Sequence, residues 1–481
     1  MAVAKKIAYN VALNSSIKVF STVVLSLFSI KLITGYLGPE GFGMYATVLA
    51  FFSLFSAIID LGLGPVTARE ISRENADEEN ILSKIITLRL LTSGALVIVA
   101  PVLVYFFHYS NELKIGILFA ALATVFSTFS FVLNGVFQKR LIMDRIAFVE
   151  LGGKLLQVTL VWIFIQGEFG FLYIASTVAL ALIFNATLAY ILSRRYVLLH
   201  LSFDPVFWKK FLKESLPLGA TAIITFAYFK FDTILLSMWQ SQTEVGIYNV
   251  AYKIIENLVF FPAMLAGLIL PLLSRYIYTN RGYFEEIANK TSKVFLVLLT
   301  PLVIGTWFLA PHIVHIISGS DFSASVPVLR ILILALACIF FGSYFNMILV
   351  VSNAQRKLMT ALFCIAFVNI AVNIVIIPMY SYTGAAYTSL LTEFLVAVVS
   401  GILVYRHINF IPSFEHIGRI LLAGVIMGVV LYLLRNTPFV LSGISACIVY
   451  ILSLALFKAV SLKEIRSLIF SRSSNTAELV N

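Results

Sequence analysis

The sequence predicts an all-α integral membrane protein of about 14 transmembrane helices. Three observations carry that prediction. Hydrophobic residues make up 60% of the 481 residues and charged residues only 12%, about half the charged share of a soluble domain. Apolar runs of roughly 20 residues, the length that spans a hydrocarbon core, follow one another along almost the whole chain. The lysines and arginines between these runs fall almost entirely on one side. The runs lack the ten-residue alternation of a membrane β-barrel. Helices also satisfy their own backbone polar groups, as lipid requires.

The N-terminal segment Met1–Asn14 is short and weakly polar. The first run, 15–36, has no small-residue cleavage site and reads as a mature helix. The second covers 41–64 and the third 84–107, with Arg69, Arg73 and Lys84 between them. The fourth covers 115–138. Lys139, Arg140 and Arg145 then lead into the fifth, 146–166, and the sixth is 170–193. The longest connection follows, 194–215, with Arg194-Arg195 and then Pro205-Val-Phe-Trp-Lys-Lys-Phe-Leu-Lys213. It reads as an amphipathic interfacial helix with Phe207, Trp208 and Phe211 in the headgroups. The seventh and eighth runs are 216–238 and 245–274, and Arg275, Arg281, Lys290 and Lys293 precede the ninth, 293–318. The tenth to twelfth are 327–351, 357–379 and 384–406, with Arg356 and Lys357 between the tenth and eleventh. The last two, 417–434 and 438–457, lead to a basic tail. On this count 25 of the 34 basic residues lie on one side and two, Lys114 and Arg435, on the other. The positive-inside rule then places both termini in the cytoplasm. Much of the net charge of +11 is therefore a topology signal, with no implication of nucleic-acid binding.

The chain repeats itself. The second run opens Gly43-Met-Tyr45 and the eighth Gly246-Ile-Tyr248, an offset of 203 residues. The sixth opens Gly170-Phe-Leu-Tyr173 and the twelfth Gly384-Ala-Ala-Tyr387, an offset of 214. Matching signals at corresponding places indicate a duplicated unit. The expected organisation is an N-terminal six-helix lobe over residues 1–200 and a pseudo-symmetric second lobe over 201–407. The last two helices and a cytoplasmic tail fill 408–481. An even helix count per unit relates the copies by an axis along the membrane normal, and transporters place substrate paths between such halves.

The stretch Tyr36-Leu-Gly-Pro-Glu-Gly-Phe-Gly-Met-Tyr45 through Ile59-Asp60-Leu-Gly-Leu63 resembles the opening signature of polysaccharide transporters. These include the Wzx-type O-antigen flippases of the MOP exporter superfamily. Leu216-Pro-Leu-Gly219, Phe231-Asp232-Thr-Ile-Leu-Leu236, Glu244-Val-Gly-Ile-Tyr248 and Leu270-Pro271-Leu-Leu-Ser274 extend the likeness into the second half. The resemblance implies a MOP/MATE-like bundle of two lobes that alternates between inward- and outward-open forms. It implies passage of a polyprenyl-diphosphate-linked oligosaccharide from the cytoplasmic to the periplasmic leaflet of a bacterial inner membrane. It also implies coupling to H+ or Na+ and partnership with a polysaccharide polymerase and a chain-length regulator. The final helix pair resembles the fourteen-helix layout of lipid II flippases.

Charges inside the runs pose the functional question. Seven are basic: Lys18, Lys31, Arg89, Lys154, Lys230, Lys253 and Arg330. Five are acidic: Asp60, Glu150, Asp232, Glu256 and Glu393. A mid-membrane charge costs about 2.5–3.5 kcal/mol on insertion scales, so most should face a watery cavity or each other. The basic surplus suits a diphosphate and acidic sugars. Lys18, Lys31, Arg89, Lys154, Lys230 and Lys253 are the candidate substrate-binding cations. Asp60, Asp232, Glu256 and Glu393 are the candidate ion-coupling or ion-pair acids.

Lys18, Asp60 and Arg89 share one depth, so Asp60 can pair with either cation. Lys230 and Asp232, two positions apart, cannot share a helix face. Lys253/Glu256 and Glu150/Lys154 do share faces. Each group also has a structural reading. Lys18, Glu150 and Arg330 are near enough to helix ends to snorkel. Asp232 and Glu393 are either proton-coupling acids with raised affinity for protons or buried, hydrogen-bonded acids.

Tyr228, Tyr248, Tyr252 and Tyr344 are positioned to stack on sugars, although packing is the commoner role of such residues. Pro101 and Pro262 are candidate kinks. His312 and His315 lack further ligands for a metal site, and Cys338, Cys364 and Cys447 lack metal or disulfide spacing. No Gly-rich phosphate loop with Lys indicates an ATPase. The outer loops are too short for a polymerase or ligase. A cation antiporter should line its first helix with acids, where this chain has Lys18 and Lys31.

Overall fold

The computed structural model describes residues 20–459 apart from 61, 74–75, 141 and 414–416. Among the described residues the regular structure is helical. After a π-helical turn at Phe20–Leu25 come α1 (Ser26–Asp60), α2 (Leu63–Ile71), α3 (Glu78–Tyr105), α4 (Asn111–Lys139), α5 (Met143–Gln166) and α6 (Phe171–Ser193). Then follow α7 (Pro205–Phe229), α8 (Phe231–Trp239), α9 (Gln242–Leu258), α10 (Phe260–Tyr276), α11 (Arg281–Ser318) and α12 (Ser325–Val351). The chain finishes with α13 (Gln355–Ile408), α14 (Ile417–Leu433) and α15 (Phe439–Leu456).

Ten helical stretches among these residues are long and apolar enough to cross a membrane. Two of them contain a reversal. In α1, Gly38 adopts φ 65° and ψ −172°, ahead of Pro39. Only glycine takes that backbone cheaply, and proline cannot extend the helix before it. In α13 the same break falls on Ser381, at φ 51° and ψ −137°. Splitting both helices, and adding the broken α7/α8 and the short α14, recovers the fourteen spans. The membrane environment is written on the outside: Ile98, Phe367 and Leu456 are 76%, 67% and 78% exposed. Apolar exposure on that scale belongs to a lipid-facing surface.

Packing groups the chain into two compact units. The first holds residues 1–250 with 317–321 and 369–385, and the second holds the remainder, the boundary cutting through α9. In the first, α4 is the hub, packing on α1, α3 and α6. Its core includes Leu63, Ile85, Val136 and Phe137, all essentially buried. Ion pairs tie the basic ends of these helices: Lys84–Asp204 at 2.8 Å, Lys139–Glu78 at 2.5 Å, Arg140–Glu78 at 2.9 Å, and Arg69 with Glu214. Asp204 also caps α7 by accepting from the Phe207 amide at 2.9 Å. The Lys84 ammonium first, and that amide second, hold the Asp204 carboxyl below its usual range.

In the second unit α14 packs on α15 and α10 on α12. Ile420, Ala423 and Met427 of α14 share a core with Leu296 of α11 and Tyr450 of α15, whose hydroxyl donates to Val297 O at 2.9 Å. Gly424 and Gly428 allow α14 to press on α11. A Cβ at Gly424 would lie 2.5 Å from Thr300 Cγ2 and 2.6 Å from Ile304 Cδ1.

Two expectations change and a third finds its place. Phe207, Trp208 and Phe211 turn inward instead of lying in headgroups. Phe211 is buried, Phe207 stacks on it at 5.4 Å, and the Trp208 indole donates to Lys84 O at 2.9 Å. The exposed residues there include Leu198, Leu201, Phe203, Val206, Lys209, Lys210 and Lys213. The aromatics face the protein because they lie on the opposite side of α7 from the lysines. Pro262 follows an interruption at Val259 that divides one apolar span into α9 and α10, so the break expected of it falls in the turn before it. Lys230 interrupts the predicted seventh helix at φ −132°, so helical spacing does not relate it to Asp232.

Candidate functional site

The first unit contains a reciprocal joint built from the two repeat signatures. The tight turn at Gly38-Pro39 starts the second half of α1, and a capping box starts α9. Ser241 N and Oγ donate to Glu244 Oε2 at 3.1 and 3.0 Å, and Glu244 N donates to Ser241 Oγ at 3.3 Å. The two helix starts then meet backbone to backbone. A Cβ on Gly43 would fall 1.7 Å from Gln242 O, and one on Gly246 would fall 2.1 Å from Pro39 O. The pairs are equivalent under the 203-residue offset, Pro39 with Gln242 and Gly43 with Gly246. Each glycine therefore receives the carbonyl of the other copy.

Polar side chains reinforce the joint. Thr47 Oγ1 donates to Gln242 Oε1 at 3.0 Å, and Ser381 Oγ donates to Glu244 Oε1 at 2.6 Å. Gln240 Nε2 donates to Ile377 O at 3.0 Å. The joint lies at the end of these helices away from the basic loops.

The intramembrane charges are placed as follows. Lys18 lies outside the described residues. Lys31 is exposed on α1. Arg89 is buried on α3, 2% exposed, and its Nη2 donates to Asp60 Oδ1 at 3.0 Å. Of the two partners open to Asp60, Arg89 is paired with it, and Lys18 lies outside the described residues. The Phe131 ring covers the guanidinium with its centroid at 5.5 Å. Lys154 is half-buried and donates to Gln157 Oε1 at 3.0 Å, and Gln157 Nε2 reaches the Tyr45 hydroxyl at 3.1 Å. Glu150 is exposed, and Lys230 is half-buried at the α7/α8 break.

Asp232 is buried at the start of α8. It accepts from Thr233 N at 2.7 Å and from the Tyr248 hydroxyl. Thr233 Oγ1 continues the network to Asn249 Oδ1 at 3.3 Å. In the second unit, Lys253 and Glu256 form an ion pair at 2.7 Å. Glu393 is buried on α13. Arg330 donates from Nε to Trp307 O at 3.1 Å.

Two of the candidate sugar-stacking tyrosines are core residues. Tyr248 is fully buried, and Tyr344 is 1% exposed with its hydroxyl on Ala288 O at 3.0 Å. Tyr252 is half-buried, and the Tyr228 side chain lies outside the described residues. No cluster of three or more metal-ligand side chains occurs among the described residues. Polar residues without charge, not among the sequence candidates, also bond inside the runs: Gln157, Asn249 and the Asn369/Asn373 pair, bonded at 3.1 Å. Amides inside apolar runs were the available signal, because a buried amide requires partners.

Residues 3–277 match the family described as "Polysaccharide biosynthesis protein". "Probable flippase AglR" of Haloferax volcanii is 23% identical over 452 residues, 90% of each chain. "Teichuronic acid biosynthesis protein TuaB" of Bacillus subtilis is 24% identical over 298 residues, 57% of each. Among solved structures, the lipid II flippase MurJ in an inward closed conformation superposes with a TM-score of 0.79 at 17% identity. It covers 95% of this chain and 100% of that one. An inward-facing MATE multidrug transporter of the MOP superfamily gives 0.62 at 16% identity, with 83% and 98% covered. The family match takes in more than half of the chain and the fold match nearly all of it. The chain thus belongs to the polysaccharide biosynthesis protein family, and its fold is the one seen in the lipid II flippase MurJ and in MATE transporters.

Proposed function

We propose that this protein is a flippase for a polyprenyl-diphosphate-linked oligosaccharide repeat unit, an O-antigen or similar surface-polysaccharide precursor. It carries the cargo from the cytoplasmic to the outer leaflet of the cytoplasmic membrane by alternating access. Both termini are cytoplasmic in this reading, and the chain divides into lobes 1–200 and 201–407 with an added pair over 408–481. The observation that carries the reading is the basic surplus inside apolar helices. Seven basic residues lie inside the apolar runs against five acids, Lys31, Lys154, Lys230 and Lys253 among the seven. An anionic diphosphate uses that surplus, whereas a cationic drug would be repelled by it.

The Gly43/Gly246 joint supports alternating access because it closes the helix ends away from the basic loops without a bulky side chain to displace. H+ or Na+ coupling is part of the proposal, with Glu393 and Asp232 as the acids to test. A lipid II cargo is the alternative that the MurJ-like fold favours.

The test is export in a strain lacking its own flippase and supplied with the matching sugar pathway. Lipid-linked repeat units should reach the outer leaflet with the wild-type protein. Lys31→Ala, Lys230→Ala and Lys253→Ala should each reduce export severalfold at normal protein level. Unchanged export in all three would refute the cationic path. Retention of the repeat units with the wild-type protein would refute the flippase reading.

A further inference from the structure

A cavity of about 310 Å3 opens between α2 and α4 over the buried Arg89. Its lining includes Gly64 and Thr67 of α2 and Phe131, Gly135 and Gln138 of α4. Gly135 leaves room, with Ile71 Cδ1 3.5 Å from where its Cβ would stand, while Gly64 seats the Phe131 ring. Arg89 provides the chemistry: one hydrogen bond goes to Asp60, while its buried Nε has no partner. A guanidinium is a planar fork of five donors that matches two oxygens of a phosphate. Holding it in an apolar wall with a donor unspent is unfavourable unless an acceptor enters.

The cavity's volume, at the low end for ligand pockets, suits a phosphate or diphosphate and excludes a sugar chain. The rim fits a lipid. Phe131 is 47% exposed beside the opening. Arg69 and Lys139, next in sequence to the lining residues Ala68 and Gln138, are engaged by Glu214 and Glu78, which leaves Arg89 as the cation of the lining.

We propose that this cavity binds the phosphate of a membrane lipid, with Arg89 as donor and Phe131 alongside the hydrocarbon chain. The site is made by α2, α3 and α4 alone, and it stands or falls separately from the transported cargo.

Thermal unfolding of the full-length protein in detergent tests it, with farnesyl diphosphate, phosphatidylglycerol or inorganic diphosphate added and phosphatidylcholine as control. The first two should raise Tm as specific ligands do. Gly135→Leu fills the cavity and should weaken both by roughly tenfold or more, the loss of one charge-assisted contact. Gly135→Ala adds a methyl at ordinary contact, 3.5 Å from Ile71 Cδ1, and should keep the fold and most of the binding. Undiminished binding by a folded Gly135→Leu protein would place the ligand elsewhere and overturn the proposal. Inorganic diphosphate acting as strongly as the lipids would overturn the lipid source. No shift with any probe would leave Arg89 to water and overturn the site. A protein that binds these lipids but exports no oligosaccharide would refute the proposed function and leave this site standing.

Discussion

At the scale of single residues, the ion pair between Arg89 and Asp60 shows how charge is tolerated inside this bundle. Removing a cation from water costs several kcal/mol, and one carboxylate with one aromatic face recovers part of it. Removing one partner leaves the other buried and uncompensated, at about 3 kcal/mol. Asp60→Asn and Arg89→Gln should each lower Tm in detergent, and the double variant should lose less than their sum. Additive losses in that cycle would show that the pair is not coupled. The depth of Arg89 and Asp60 was readable from position along the spans. The company of Asp232 was not. Tyr248 reaches it, and Asn249 reaches the neighbouring Thr233, from another helix, and the relative rotation of two helices is not encoded in either run alone. Tyr248 itself reads as a polar-tipped aromatic in sequence, and its burial depends on that same rotation.

At the scale of elements, small residues decide how closely helices approach. Lipid offers no hydrophobic drive between helices, so contact area and backbone proximity carry the association. Gly424-Val-Ile-Met-Gly428 is such a surface, with Gly424 against Thr300 and Ile304 and Gly428 against Phe308 of α11. Gly424→Val should force α14 outward at about 1–3 kcal/mol. Faster hydrogen exchange over residues 417–433 would register it, and wild-type exchange would refute the close packing. Most span limits were legible because an apolar run must end where water begins. The break at Lys230 was not, since a single non-helical residue leaves no trace in hydropathy. The inward turn of Trp208 was equally hidden, because packing on protein and immersion in headgroups favour the same residue types.

At the scale of the whole molecule, the fold was legible from repetition, length and charge bias. The joint between Gly43 and Gly246 was marked only as a likeness between two helix starts. With Cys338, Cys364 and Cys447 replaced by serine, Thr47→Cys/Gln242→Cys joined by a short thiol cross-linker should hold those ends together and abolish export. Cleaving the linker should restore it. Full export with quantitative cross-linking would show that this end need not open.

The reciprocity of that joint has a consequence for descent. Neither copy is at liberty to vary there on its own, because any side chain gained at one glycine strikes the carbonyl of the other copy. Each half acts as a steric veto on its counterpart. The likeness between residues 43 and 246 is therefore enforced by collision, and a side chain at either position should cost the joint whatever stands at the other.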